Sequence, residues 1–148
     1  MIAIGCDHGG YELKEAIKKH LDKNNIEYTD FGCFSKASVD YPKIALEVGT
    51  KVASKEYPKG ILCCGTGVGI SIAANKIPGI RAALVSDCFT AKATREHNDS
   101  NILCLGGRVI GEELAFMIVD IWLNTEFIGD RHLNRINQVT EIENSFKY

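Results

Sequence analysis

No stretch of this sequence is long and apolar enough to span a bilayer, and none is given over to charge of one sign. The formal net charge is -2 and the lysines and arginines are scattered, so neither nucleic acid nor an anionic membrane is an expected partner. Proline is scarce, with 3 in 148 residues, and no low-complexity or linker tract divides the chain, so a single domain over residues 1–148 is expected. The 6 cysteines include no C-x-x-C pair and no cluster with histidine at metal-ligand spacing. No zinc site and, in a reducing compartment, no disulfide are therefore expected. Met1 runs straight into Ile2-Ala3-Ile4-Gly5 without a basic leader, which points to a cytoplasmic protein.

The stretch that is rich in information is Ile61 to Asn75, ILCCGTGVGISIAAN. A short apolar run reads as a buried strand, three glycines follow in alternation, and small and apolar residues then suit a packed helix. Gly65, Gly67 and Gly69 let the backbone take positive φ and approach a ligand, while amides at the start of the helix point into the loop. Such a loop holds an anion. Cys64, the last strand residue before the glycines, sits where exposed amides favour thiolate over thiol. Cys63 and Cys64 face opposite sides of the strand, so only one of them addresses the loop; Cys6, Cys33, Cys88 and Cys104 read as packing residues.

Two other readings of the same stretch stand beside this one. A dinucleotide fingerprint would be G-x-G-x-x-G, but Ile70 occupies the place of the third glycine, although Asp87 lies near where a ribose-binding acid belongs. A Walker loop is excluded because no Gly-Lys-Ser or Gly-Lys-Thr follows. The plainest alternative is a tight turn with Cys64 as a small buried hydrophobe.

Taken in order, Met1 to Gly5 reads as a strand that CDHGG breaks. Leu13, Ile17 and Leu21 mark a helix from Tyr11 to about Lys23, and Ile26 to Phe31 a strand. Asp40 is the expected N-cap of a helix with Pro42 in its first turn and Ile44, Ala45, Val48 and Val52 on one face. Gly60 to Cys64 is the next strand, Ile77-Pro78-Gly79 a stop, and Arg81 to Val85 a strand. Ser86 is the expected cap of a helix carrying Phe89 and Ala93 to about His97, and Ile102 to Leu105 a last strand before GGR at Gly106 to Arg108. Leu114, Met117, Ile118, Ile121 and Trp122 mark one more helix; Ile136, Val139, Ile142 and Phe146 mark a final C-terminal one. Strands alternating with helices imply an α/β fold with a five-stranded parallel sheet and helices on both faces. Ligands bind such sheets beyond the carboxyl ends of the strands, where Asp7, His8, the glycine loop and Arg108 are expected. Arg131 and Arg135, one turn apart, share a helix face and can close on a phosphate.

Read together, GCDHGG, DYP at Asp40, CGTGVGISIAANK, REHND at Arg95, GGRVIG and the closing RHLNR resemble, in order and over nearly the whole chain, the type B ribose-5-phosphate isomerases, a family shared with allose- and galactose-6-phosphate isomerases. The resemblance implies a Rossmann-like αβα sandwich, a homodimer or dimer of dimers, no metal or other cofactor, and interconversion of D-ribose 5-phosphate with D-ribulose 5-phosphate. It implies that Cys64 is the general base and that His97 is the acid opening the furanose ring; the hydroxyl of Thr66, inside the loop, can pass a proton to or from a sugar oxygen or equally hydrogen-bond the turn. Asp7, His8 and Tyr41 are implied as substrate contacts, Gly65, Thr66, Gly67, Val68 and Gly69 as the anion hole, and Asn98, Arg108, Arg131 and Arg135 as the rest of the site. A six-carbon phosphosugar, a non-catalytic sugar-phosphate sensor and a nucleotide-binding module are the alternatives. One geometric expectation follows from the sequence order. His97 ends a helix that feeds the start of a strand, so it should lie at the opposite edge of the sheet from Cys64.

Overall fold

The computed structural model describes residues 1–146. Five parallel strands, β1 (Ile2–Cys6), β2 (Tyr28–Asp30), β3 (Lys59–Cys64), β4 (Ala82–Leu84) and β5 (Ile102–Gly106), form one sheet in the order β2-β1-β3-β5-β4. The helices are α1 (Tyr11–Lys23), α2 (Tyr41–Ala53), α3 (Val68–Ala74), α4 (Cys88–Asn98), α5 (Glu112–Asn124) and α6 (Arg131–Ser145). A parallel sheet buried on both faces requires near-continuous apolar strands, and every residue of β1 and β5 is buried.

The strand pleat divides the interior into two cores. Ile4, Ile61, Cys63, Leu103 and Leu105 face α1, α4 and α5, where they meet Leu13, Ile17, Ala91, Ile118 and Trp122. Ala3, Leu62, Cys64, Ile102 and Cys104 face α2 and α3 and meet Ala45, Val48, Ile70 and Ala74. Cys63 and Cys64 thus point to opposite faces, as the period of two requires. Full burial of a side chain such as Ile17 is worth roughly 1.5–3 kcal/mol, and such positions hold the layers together.

Several expectations are corrected. The edge strands are shorter than their apolar runs. Ile26 is drawn into the turn closing α1, its amide donating to Leu21 O, so β2 begins only at Tyr28. Asp87, not Ser86, caps α4: its Oδ1 accepts from Thr90 N at 2.7 Å, a bond that holds the carboxyl below its usual range. That bond engages the acid a dinucleotide site would need for ribose. Asp40 occupies the N-cap of α2, but its side chain makes no capping bond. In α5 the buried face is Ala115, Ile118, Val119 and Trp122, and Met117, about 100° away from Ile118, is exposed. In α6 only Ile136 of the apolar stripe is buried, while Val139, Ile142 and Phe146 are 54%, 62% and 69% exposed.

Candidate active site

The chain leaves β1 in one direction to make β2 and returns to place β3 on the other side, so the sheet's switch point lies between β1 and β3. Ligands sit at such crevices, beyond the carboxyl ends of the strands. Asp7 and His8 follow β1, residues 65–69 follow β3, and Gly107 and Arg108 follow β5.

Backbone bonds draw these loops together. Asp7 N donates to Cys63 O at 3.1 Å, Gly107 N to Cys64 O at 2.8 Å and Arg108 N to Gly65 O at 2.9 Å. Cys64, 4% exposed, accepts at Sγ from Gly67 N at 3.0 Å. Gly67 makes that bond at φ 79°, in the left-handed region, and a Cβ there would stand 3.1 Å from Leu105 O. Thr66 Oγ1 accepts from Val68 N at 3.2 Å, so two of the loop's amides are already directed at side chains of the loop.

The surrounding side chains roof this loop. A Cβ on Gly65 would lie 2.9 Å from Arg108 Nη1, and one on Gly69 would lie 2.7 Å from the Tyr41 ring. Arg108 and Tyr41 are therefore brought together with the glycines. Asp7 Oδ1 accepts from Gly9 N at 2.8 Å and Gly10 N at 3.1 Å, so this carboxylate shapes its own turn. His8 Nδ1 accepts from Val39 N at 3.2 Å, which leaves Nε2 of the neutral ring carrying the proton.

The remaining expected residues are elsewhere. His97 and Asn98 end α4 at the amino edge of the sheet, where Arg81 Nε donates to Asn98 O at 2.9 Å and Arg81 Nη2 to Asp99 O at 3.0 Å. The buried Arg95 secures the same turn through Nη1, to Asp99 Oδ1 at 2.8 Å and Ser100 O at 2.6 Å. His97, Asn98 and Arg135 share a cleft of about 290 Å³ with Arg81, His132, Ile136 and Val139. Arg131 lies one turn before Arg135 on α6 and is exposed. Gly106 at the end of β5 pairs with Cys64, while His97 precedes the start of β5. The 5 residues of β5 hold the two clusters roughly 17 Å apart. Within one chain the structure places Cys64 and His97 in two separate clusters at opposite edges of the sheet and does not bring them together.

Some of the supporting residues carry no sequence signal. Lys14 is fully buried, with Nζ 2.7 Å from Asp30 Oδ1 and 2.6 Å from Cys33 O, while Lys18 Nζ reaches Asp30 Oδ2 at 2.8 Å. Burial alone would raise the Asp30 carboxyl, but the bonds from Lys14 and Lys18 outweigh it and hold the group below its usual range. This network ties β2 and the loop after it to α1, and Val39, which holds His8, extends from that loop. His132 was also not singled out, although it lies between Arg131 and Arg135 in the same turn. The larger groove between α1 and α5, about 920 Å³, is lined by Glu12, Glu15, Lys19, Phe116 and Asp120 and contains none of the candidate residues. Among the described residues no group of three or more His, Cys, Asp or Glu side chains is placed to hold a metal ion, and no helix is long and apolar enough to cross a membrane.

Comparison with known proteins gives consistent findings. The family model for ribose/galactose isomerase matches residues 2–139. The chain is 51% identical to ribose-5-phosphate isomerase B of Escherichia coli (strain K12), covering 96% of this chain and 95% of the relative. Among solved structures it is similar to ribose-5-phosphate isomerase B of Clostridium thermocellum, with 53% identity, a TM-score of 0.97 and 99% of each chain covered. It is also similar to ribose-5-phosphate isomerase B of Mycoplasma genitalium with bound ribulose-5-phosphate, with 40% identity, a TM-score of 0.91 and coverage of 97% and 95%.

Proposed function

The chain belongs to the ribose/galactose isomerase family, and from that premise we propose that it interconverts D-ribose 5-phosphate and D-ribulose 5-phosphate through an enediolate, with Cys64 as base and His97 as the acid that opens the ring. The observation that carries the assignment is the Gly67 amide aimed at Cys64 Sγ at the sheet's switch point. His97 protonates the furanose oxygen, the C1–O bond to it breaks, and the C1 hydroxyl gives its proton to solvent, which frees the aldehyde. The Cys64 thiolate then takes the C2 proton, the electron pair moves toward O1, and the same proton is delivered to C1 of the enediolate. Gly65, Thr66 and Gly69 supply the backbone amides beside the developing oxyanion, since those of Gly67 and Val68 are engaged within the loop. Thr66 Oγ1 shuttles a proton between O1 and O2.

Substrate positioning falls to both clusters. Arg131 and Arg135 hold the phosphate, with Asn98 beside them, while Arg108, Tyr41, His8, Val68 and the Asp7 turn border the sugar. Because base and acid lie at opposite edges, the working unit is a homodimer in which each site takes Cys64 from one copy and His97 from the other. Ribose 5-phosphate is the substrate assigned here; allose 6-phosphate and galactose 6-phosphate are the competing substrates to assay in parallel.

The test is Cys64→Ala. Turnover should vanish while ribose 5-phosphate still binds by calorimetry, since the arginines and the loop remain. Near-normal turnover in that variant would remove Cys64 from the mechanism.

A further inference from the structure

His132, in the first turn of α6, is 4% exposed, and its Nε2 is buried without a hydrogen-bond partner among the described residues. Buried imidazole nitrogens are normally paired, so an orphan calls for an explanation. What the ring has instead is a face: it stacks on His97 with centroids 4.4 Å apart and planes 11° from parallel. The His97 ring is exposed and makes no hydrogen bond among the described residues, which leaves this stack as the contact that limits its rotation. His132 is itself well held, through its amide on Gly129 O at 2.9 Å and through the buried Ile136 one turn on. Burial, then His97, Arg131 and Arg135, keep its proton affinity below that of an ordinary histidine.

We propose that His132 is a positioning residue for ring opening: by stacking on His97 it fixes the plane of the acid's imidazole, so that the proton-bearing nitrogen meets the furanose oxygen. This rests on the reading of His97 as the ring-opening acid. Face-to-face contact needs a flat ring and not a particular nitrogen, which is why Nε2 can be left unpaired. Misplacing an acid by a fraction of its reach slows only the step that uses it.

The test compares ribose 5-phosphate with its 4-deoxy analogue, which lacks the hydroxyl that closes the furanose and therefore needs no ring opening. His132→Leu should lower kcat on ribose 5-phosphate about ten- to a hundredfold and leave the analogue within about threefold of wild type, with KM for both little changed. His132→Phe, which restores a flat ring and removes the orphan nitrogen, should recover most of the lost rate and melt no lower than wild type. Equal losses on both substrates, or a Phe variant that folds and is as slow as Leu, overturn the proposal. His97→Ala, run alongside, separates the two readings. If it harms both substrates alike, the assignment of His97 fails and this inference with it; if it is selective while His132→Leu is not, the inference alone fails.

Discussion

At the scale of single residues, Asp30 is the hub of a charged network away from the candidate site. It binds the buried Lys14 and the partly exposed Lys18, and Gly32 N donates to it at 2.9 Å. Asp30→Ala strands the Lys14 ammonium in the interior, and breaking a buried pair in this way costs about 3–5 kcal/mol. Lys14→Met should cost less, because Asp30 keeps Lys18 and Gly32 and no unpaired charge is left. Urea unfolding of the two variants decides the order; a Lys14→Met loss equal to that of Asp30→Ala would show that the ammonium, not its stranding, matters. The folded Asp30 carboxyl is depressed, so its contribution is complete above the unfolded value of about 3.9 and fades as pH falls through the folded value. Nothing in the sequence reveals this network, because a lysine beside Leu13 on an amphipathic helix reads as solvated. The same holds for Arg95, which reads as a site neighbour in REHND and proves to be the clamp of a turn.

At the scale of elements, the central strands, the glycine loops and the buried faces of α1 and α2 were legible, and the faces of α5 and α6 were not. A strand that must be apolar on both sides announces itself, and glycines where Gly9 and Gly65 backbones meet leave a mark in the sequence. An apolar stripe, by contrast, shows that a helix covers something without showing what. α6 is the case in point: it packs on α4, buries Ile136 and presents Val139 and Ile142 outward beside the His97 cleft. The proposed dimer would cover that stripe if it forms on this face of α6. Val139→Lys with Ile142→Lys should weaken association by sedimentation while changing chain stability little, since exposed substitutions fall within about 0.5 kcal/mol. An unchanged oligomer would place the contact on another face.

At the scale of the whole molecule, the separation of Cys64 from His97 makes the proposed mechanism depend on assembly. Inactive Cys64→Ala and inactive His97→Ala chains, unfolded together and refolded, should regain roughly a quarter of full activity, because half the dimers are mixed and each has one intact site. No recovery despite confirmed exchange would mean that both residues act within one chain. The order of elements was enough to foresee the separation, since α4 must deliver its last turn to the start of β5. The placement of Arg135 and His132 on α6 also has a consequence in time. During synthesis Cys64 and its glycine loop exist once β3 and α3 have left the ribosome, but the cleft of His97 and Arg135 waits for the last helix described here. If Arg135 holds the phosphate as proposed, no growing chain can offer that cleft to a second copy until α6 has emerged, so pairing of the two proposed parts has to follow synthesis of the last helix.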